Sequence, residues 1–401
     1  MPRIESLRAR RLLDSRGDAT VEIDVRAGPI HARAAAPSGA STGSHEVAPW
    51  PKGGVAASLS AIPKVTAKLS GVDIEDQEGV DARLHEIDGT ANFSGIGGNL
   101  AVAVSLACAR GGAASKGVPL FRRWGTPGGM PRPQGNVLGG GRHAVGGTTI
   151  QEFMSTAEAP SVGDAVFANA RVHRRVRDRL MKDHPGIALG KGDEAAWVAP
   201  MEDMQALRLV SEECAAATKE TGVLCRPSLD VAATEFHKAG TYQYRDRALS
   251  RDAQIDFLVS LVEDFSLASL EDPLEEEDFS GFAELTKRVG KQCLIVGDDL
   301  FATSTPRLRR GLEEGAANAV LIKPNQCGTV TDTRACVDLA HRGGYKTVMS
   351  HRSGETTDDS IAHLAVAFGC WGIKTGAVGG ERIAKLNELI RIEEQMRDDG
   401  S

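Results

Sequence analysis

Six short, mostly apolar runs in the later part of the chain each end in one polar or charged residue, at near-regular intervals. Residues 223–229 end at Asp230, 267–270 at Glu271 and 293–297 at Asp298. Residues 319–322 end at Lys323, 347–350 at His351 and 372–373 at Lys374. Successive end residues are 41, 27, 25, 28 and 23 positions apart, which is the length of one strand plus one returning helix. The intervening sequence carries the helical period: Ile255, Leu258, Val259 and Val262 stand at i, i+3, i+4 and i+7, with Ser250 placed as the N-cap. Residues 357–368 and 381–396 behave similarly. Repeated βα units fold as a closed barrel or a doubly wound sheet. One charged residue after a strand is ordinary, but six in succession favour the barrel, whose active sites are assembled from the C-terminal ends of several strands.

Ahead of these repeats the pattern differs. Residues 125–133 hold three prolines and three glycines, a composition that suits neither helix nor central strand. We read them as a linker between an N-terminal domain, 1–124, and a catalytic barrel, 134–401. In the first domain, residues 21–26 alternate apolar and charged, as a half-exposed strand does. A turn at 27–29 leads into a second strand around 30–35, and helices are expected over 54–70 and 97–117. That is an α+β layer. Residues 37–43 are small and hydroxyl-rich with nothing to pack, so they are expected to form a mobile loop.

Composition removes several function classes. The formal charge of −7 over 401 residues opposes a nucleic-acid-binding role, which calls for a strongly basic surface. The basic stretch 171–179 has no interleaved aromatics and reads as a solvated helix face. Seven cysteines without a C-x-x-C pair suit reduced thiols in a cytoplasmic protein. The first eight residues are charged where a secretion signal is apolar, and no run reaches the ~18 apolar residues of a membrane span.

The strand-end residues suggest a chemistry. Asp230, Glu271 and Asp298 offer three hard oxygen ligands with no thiolate or imidazole beside them, a set suited to Mg²⁺ rather than zinc or copper. Three crowded carboxylates without a cation would repel one another. Lys323 beside such a metal is expected to have a depressed pKa and to act as a neutral base. Lys374, His351, Arg352 and Ser353 supply cations and donors for an anionic substrate. Together these groups suit removal of a proton α to a carboxylate, where fixed positive charge must meet the developing dianion.

The motifs that hold these residues resemble those of the enolase family over nearly the whole chain. They are Asp14-Ser15-Arg16-Gly17, residues 37–43, His143-Ala144, Gln151-Glu152-Phe153-Met154, Gly192-Asp193-Glu194 and Glu271-Asp272-Pro273. Further on come Gly297-Asp298-Asp299, Lys323-Pro324-Asn325-Gln326, residues 350–356 and Ile373-Lys374-Thr375-Gly376. The resemblance implies a small α+β domain ahead of an irregular (β/α)8 TIM-type barrel that begins ββαα, in a molecule that is usually a dimer. It implies reversible dehydration of 2-phosphoglycerate to phosphoenolpyruvate, by the lysine-base, Mg²⁺-stabilised ene-diolate route already described for the enolase superfamily. Lys323 would take the C2 proton, and Glu194 would protonate the departing C3 hydroxyl with support from Glu152 and His351. His143 and Gln151 would line the pocket, Arg352 and Ser353 would hold the phosphate, and Lys374 the carboxylate. Asp230, Glu271 and Asp298 would hold one Mg²⁺, and Ser41 would help bind a second that arrives with substrate. One departure stands beside the proposed acid: Ala195-Ala196-Trp197 replaces the family's usual Gly-Gly. Two rival readings are a relative acting on a different acid and a silent paralogue kept as a scaffold.

Overall fold

The computed structural model describes residues 1–39, 43–125, 128–144, 146–186 and 188–398. Strands β1 (Ser6–Leu13), β2 (Ala19–Ala27) and β3 (Ile30–Ala35) form an antiparallel sheet in that order. The alternation over 21–26 points Val21, Ile23 and Val25 into the core, and the two-residue turn after Ala27 relies on Gly28 at φ 58°. The expected helix over 54–70 is two helices, α1 (Gly54–Ser60) and α2 (Ile62–Leu69). Pro63 causes the break: it has no amide hydrogen and its ring would strike the carbonyl four residues earlier. Helices α3 (Gln77–Asp88) and α4 (Gly98–Ser115) follow, and α4, buried along most of its length, packs across β2 and β3.

The barrel strands are β4 (Arg132–Gly139), β5 (Glu152–Glu158), β6 (Leu224–Asp230), β7 (Ser269–Glu271), β8 (Leu294–Gly297), β9 (Ala319–Ile322), β10 (Lys346–Ser350) and β11 (Gly372–Lys374). Each pairs with the next, and β11 closes on β4 through Gly372–Arg132, Ile373–Pro133 and Lys374–Gln134. All neighbours are parallel except β5, which runs antiparallel to both β4 and β6. Two helices, α5 (Val162–Asp183) and α6 (Asp203–Thr221), then lead to β6. The start is therefore ββαα.

After β6, helices α7 (Arg251–Phe265), α8 (Phe279–Val289), α9 (Thr305–Glu314), α10 (Val330–Arg342), α11 (Ser360–Ala367) and α12 (Gly380–Asp398) occupy the intervals between and after the strands. Ser250 caps α7 by accepting from the Ala253 amide. One expectation fails: Arg132 and Pro133, read as linker, belong to barrel strand β4. The Arg132 amide donates to Trp371 O, while pairing of β4 with β5 begins only at Gln134. The missing amide of Pro133 therefore falls where no ladder bond is needed.

Candidate active site at the barrel rim

Strand direction decides which residues meet. Asp230, Glu271 and Lys374 are the last residues of β6, β7 and β11, while Asp298, Lys323 and His351 directly follow β8, β9 and β10. The register sets Asp230 opposite Glu271 on one side and Glu152 on the other. Because β5 is antiparallel, its first residue, Glu152, and the preceding Gln151 reach the rim where its neighbours end. The loop before β5 adds His143, and the loop after α5 adds Glu194. One cavity is lined by these groups together with Asp230, Asp298, Lys323, His351, Arg352, Ser353 and Lys374. Glu271 lies against it through Lys374. Ser41 lies outside the described residues.

Lys374 stands among the acids. Its buried Nζ donates at 2.9 Å to Asp230 Oδ2 and to both Glu271 oxygens, and lies 3.2 Å from Glu152 Oε1. Burial acts to lower the lysine's pKa, but Asp230, Glu152 and Glu271 outweigh it and hold the ammonium well above its ordinary value. Burial and the neighbouring Asp230 charge push Glu271 well above the carboxylate range. Lys323 Nζ is ion-paired with Asp298 Oδ2, whose other oxygen accepts from Gln326 Nε2 at 3.0 Å. The depressed pKa expected of Lys323 was that of a lysine beside a bound cation, and the contact with Asp298 acts in the other direction. Burial is the largest single influence and acts to lower it, but Asp298 and the other nearby acids, Glu271 among them, together outweigh it and raise its pKa above the usual lysine value.

Proton-carrying groups gather on the opposite side. Glu194 Oε1 lies 3.1 Å from His351 Nε2 and 3.7 Å from His143 Nδ1, and Oε2 accepts from Asn136 Nδ2 at 3.2 Å. Burial pushes Glu194 up, but the imidazoles of His351 and His143 and the Lys374 ammonium hold it well below its ordinary value. Glu152, by contrast, is pushed up to about 7 by burial and by the Glu194 charge. The two carboxyls are thus driven apart in acidity.

Several contributors were not singled out from the sequence. Glu46 forms a bidentate pair with Arg352, at 2.9 and 3.1 Å, and Asn325 Oδ1 accepts from the same guanidinium at 2.8 Å. Asp272, at φ 39°, accepts from the Asp298 and Asp299 amides and thereby aims the end of β8. Asp272 and Asp299 stand inside quoted motifs, so a search for adjacent acids would have found them. Glu46 gave no signal, since its partner lies 306 positions away.

Oxygens of Asp272, Asp298 and Asp299 lie within 4.8 Å of one another, as do ligand atoms of His143, Glu152 and Glu194. Asp230 and Glu271 add two further carboxylates, already gathered about one cation, the Lys374 ammonium. This oxygen-rich donor set fits a hard divalent metal.

A closed barrel with lysines, an arginine and paired carboxyl groups at its C-terminal rim is built as an acid–base enzyme for a small anionic substrate. Comparison with known proteins gives the family. Residues 4–123 match the family model described as "Enolase, N-terminal domain", and residues 128–401 match "Enolase, C-terminal TIM barrel domain". A protein of Methanothermobacter thermautotrophicus named enolase is 50% identical, over 98% of this chain and 97% of its own length. Enolases of Natronomonas pharaonis and Halobacterium salinarum are also 50% identical over 98% of this chain, spanning 99% and 100% of their own lengths. The chain belongs to the enolase family, the carbon–oxygen lyases also called phosphopyruvate hydratases.

Proposed function

We propose that the chain reversibly dehydrates 2-phospho-D-glycerate to phosphoenolpyruvate as a glycolytic and gluconeogenic enzyme, with the following division of labour. Lys323 removes the C2 proton and Glu194 protonates the leaving C3 hydroxyl. Arg352 and Ser353 hold the phosphate and Lys374 the carboxylate, while His143 and Gln151 line the space between. The observation that carries the reading is that Lys323 and the Glu152–Glu194 pair line one cavity together with Arg352 and Lys374. A base, an acid and two anion contacts thereby share one cavity.

The acid arm rests on the split between the two carboxyls. With Glu152 at about 7 and Glu194 far below, the pair holds one proton near neutrality, and that proton belongs to the pair rather than to either residue. His351 and His143 orient Glu194 toward the leaving group. Asp230, Glu271 and Asp298 would hold one Mg²⁺, and Ser41 together with the substrate phosphate a second. Bound there, the cations supply the fixed positive charge that the developing dianion requires. Closing residues 38–43 over the cavity would exclude water and strengthen these attractions.

We place the domain division within 125–131 and expect a cytoplasmic homodimer. Among the described residues no helix is long and apolar enough to cross a membrane. The test is the rise in phosphoenolpyruvate absorbance on adding 2-phosphoglycerate, with Mg²⁺ and with chelator. Wild type should turn over only with the cation, and Lys323→Ala should not turn over. Absence of Mg²⁺-dependent product from wild type refutes the reading.

A further inference from the structure

Arg382, on α12, heads the large side chains that the fold buries completely. Its fork is spent on one small region. Nη1 donates to His351 Nδ1 at 2.9 Å and to Arg352 O at 2.6 Å. Nη2 donates to Ser353 O at 2.7 Å and to Asp193 O at 3.2 Å. Gly376 and Gly379, both at positive φ, leave room for the stem: a Cβ on either would stand 3.1 or 3.3 Å from Arg382 Cγ. The sequence reading gave this residue no role.

A guanidinium carries donors only. The ring nitrogen that meets it must therefore present its lone pair, so a neutral His351 carries its proton on Nε2, the atom 3.1 Å from Glu194 Oε1. The other tautomer would set N–H against N–H at Nδ1 and a bare lone pair against a carboxylate at Nε2. Protonating both nitrogens meets the same obstacle at Nδ1. Burial and the Arg382 charge accordingly hold the ring down at about 4, against the opposing pull of Glu194.

We infer that Arg382 is a positioning residue for the acid arm: it fixes His351 as the Nε2–H tautomer, whose N–H lies on the side of the ring that approaches Glu194. The same fork ties the Asp193 end of the acid-bearing loop to the Arg352–Ser353 loop. The inference rests on the proposed role of Glu194 as proton donor. It requires that the fork act on chemistry more than on substrate affinity, since its four hydrogen bonds reach the His351 ring and three backbone carbonyls rather than the anion-binding side chains.

The test uses Arg382→Met, which keeps the apolar stem and removes the donors, and Arg382→Lys, which keeps the charge and part of the donor capacity. Tautomers are read from long-range ¹H–¹⁵N spectra of ¹⁵N-histidine-labelled protein, with His351→Asn identifying the ring. Wild type should show the Nε2–H pattern. Arg382→Met should lose it, with kcat down roughly 10–100-fold, the range seen when a group orienting an active-site ligand is removed, and KM within about threefold. Arg382→Lys should regain part of both. A folded Arg382→Met that keeps the Nε2–H pattern or the wild-type kcat overturns the inference, and so does a loss carried by KM alone. If Arg382→Met fails to fold, Arg382→Lys decides: an altered tautomer at unchanged kcat refutes the role, and parallel partial losses support it. An inactive wild type would instead refute the proposed function, because the tautomer is read without turnover.

Discussion

Replacing Lys374 with Met tests whether one ammonium holds the acidic rim together. In the wild type its Nζ sits 2.9 Å from Asp230 and Glu271 and 3.2 Å from Glu152, with all three carboxyls buried. Methionine keeps the stem and removes the one lysine or arginine in contact with that cluster among the described residues. Breaking a buried ion pair by deleting one partner costs about 3–5 kcal/mol, because the remaining charge has neither water nor a partner. For a chain of this size we expect a drop of roughly 4–6 °C in melting temperature at pH 7 in chelator. The carboxyls have an escape by taking up protons, so the deficit should shrink as the pH is lowered from 7 toward 4.5. A divalent cation offers a second escape. At 100 times its Kd a ligand adds about 2.7 kcal/mol, and the variant should gain more than wild type, where Nζ competes for the same oxygens. Thermal melts of both proteins in chelator and in Mg²⁺, across that pH range, measure all of this. A folded variant that melts within about 1 °C of wild type in chelator, or that gains no more from Mg²⁺, refutes the reasoning.

Lys323→Ala should lower kcat by about 10²–10⁴-fold, the usual worth of a positioned general base, with the fold intact by circular dichroism. Glu152 is raised from 4.5 to about 7, so the folded state binds that proton more tightly than the unfolded chain. The resulting stabilisation is full below about 4.5 and lost as pH rises through about 7. Glu152→Gln should flatten that part of a stability-versus-pH curve. His173 is held down at about 4 by burial, the opposite case: its contribution is full above about 6.5 and lost as pH falls through about 4, and His173→Gln should blunt acid unfolding. Ala195 adopts φ 59°, a conformation that costs a residue with a Cβ about 1–2 kcal/mol. Glycine there loses about 0.5–1 kcal/mol in chain entropy, so Ala195→Gly should raise the urea midpoint by a net gain of up to about 1.5 kcal/mol.

The barrel was legible because a parallel βα repeat writes itself into the sequence: every strand returns at one interval and every strand end faces the same rim. Strand β5 breaks that rule by running the other way, which puts its functional residue at its start. A search of strand ends therefore passes over Glu152, and only the family motif supplied it. His143 and Glu194, on loops, were hidden from periodicity for the same reason. Pro63 and Pro133 show the limit of local rules. One broke a helix that the apolar pattern had drawn as continuous, and the other sat in a barrel strand because its neighbour on that side had not yet begun to pair. The acidity of Lys323 depends on which oxygens and cations stand beside Nζ, and no spacing encodes that. Glu46 and Arg382 act through partners 306 and 31 positions away, so their roles exist only once the chain is folded.

The charge balance of the rim explains why these contacts are already made before any substrate arrives. Among the described residues its cavity is lined by eight carboxyl side chains against three fixed cations, Lys323, Arg352 and Lys374. Each cation is spoken for: Lys323 by Asp298, Arg352 by Glu46 and Lys374 by Asp230 and Glu271. Protonation relieves part of the excess, since Glu152 and Asp299 are both pushed up to about 7, but the cavity still faces a phosphorylated acid with net negative charge. An anion of that kind enters such a site only by exchange, taking Arg352 and Lys374 from carboxylates that must then find another positive partner. Divalent cations on the acidic side provide one. In this scheme substrate and metal affinity are coupled in both directions, so the apparent Kd for 2-phosphoglycerate should fall as free Mg²⁺ rises, and that for Mg²⁺ as substrate rises.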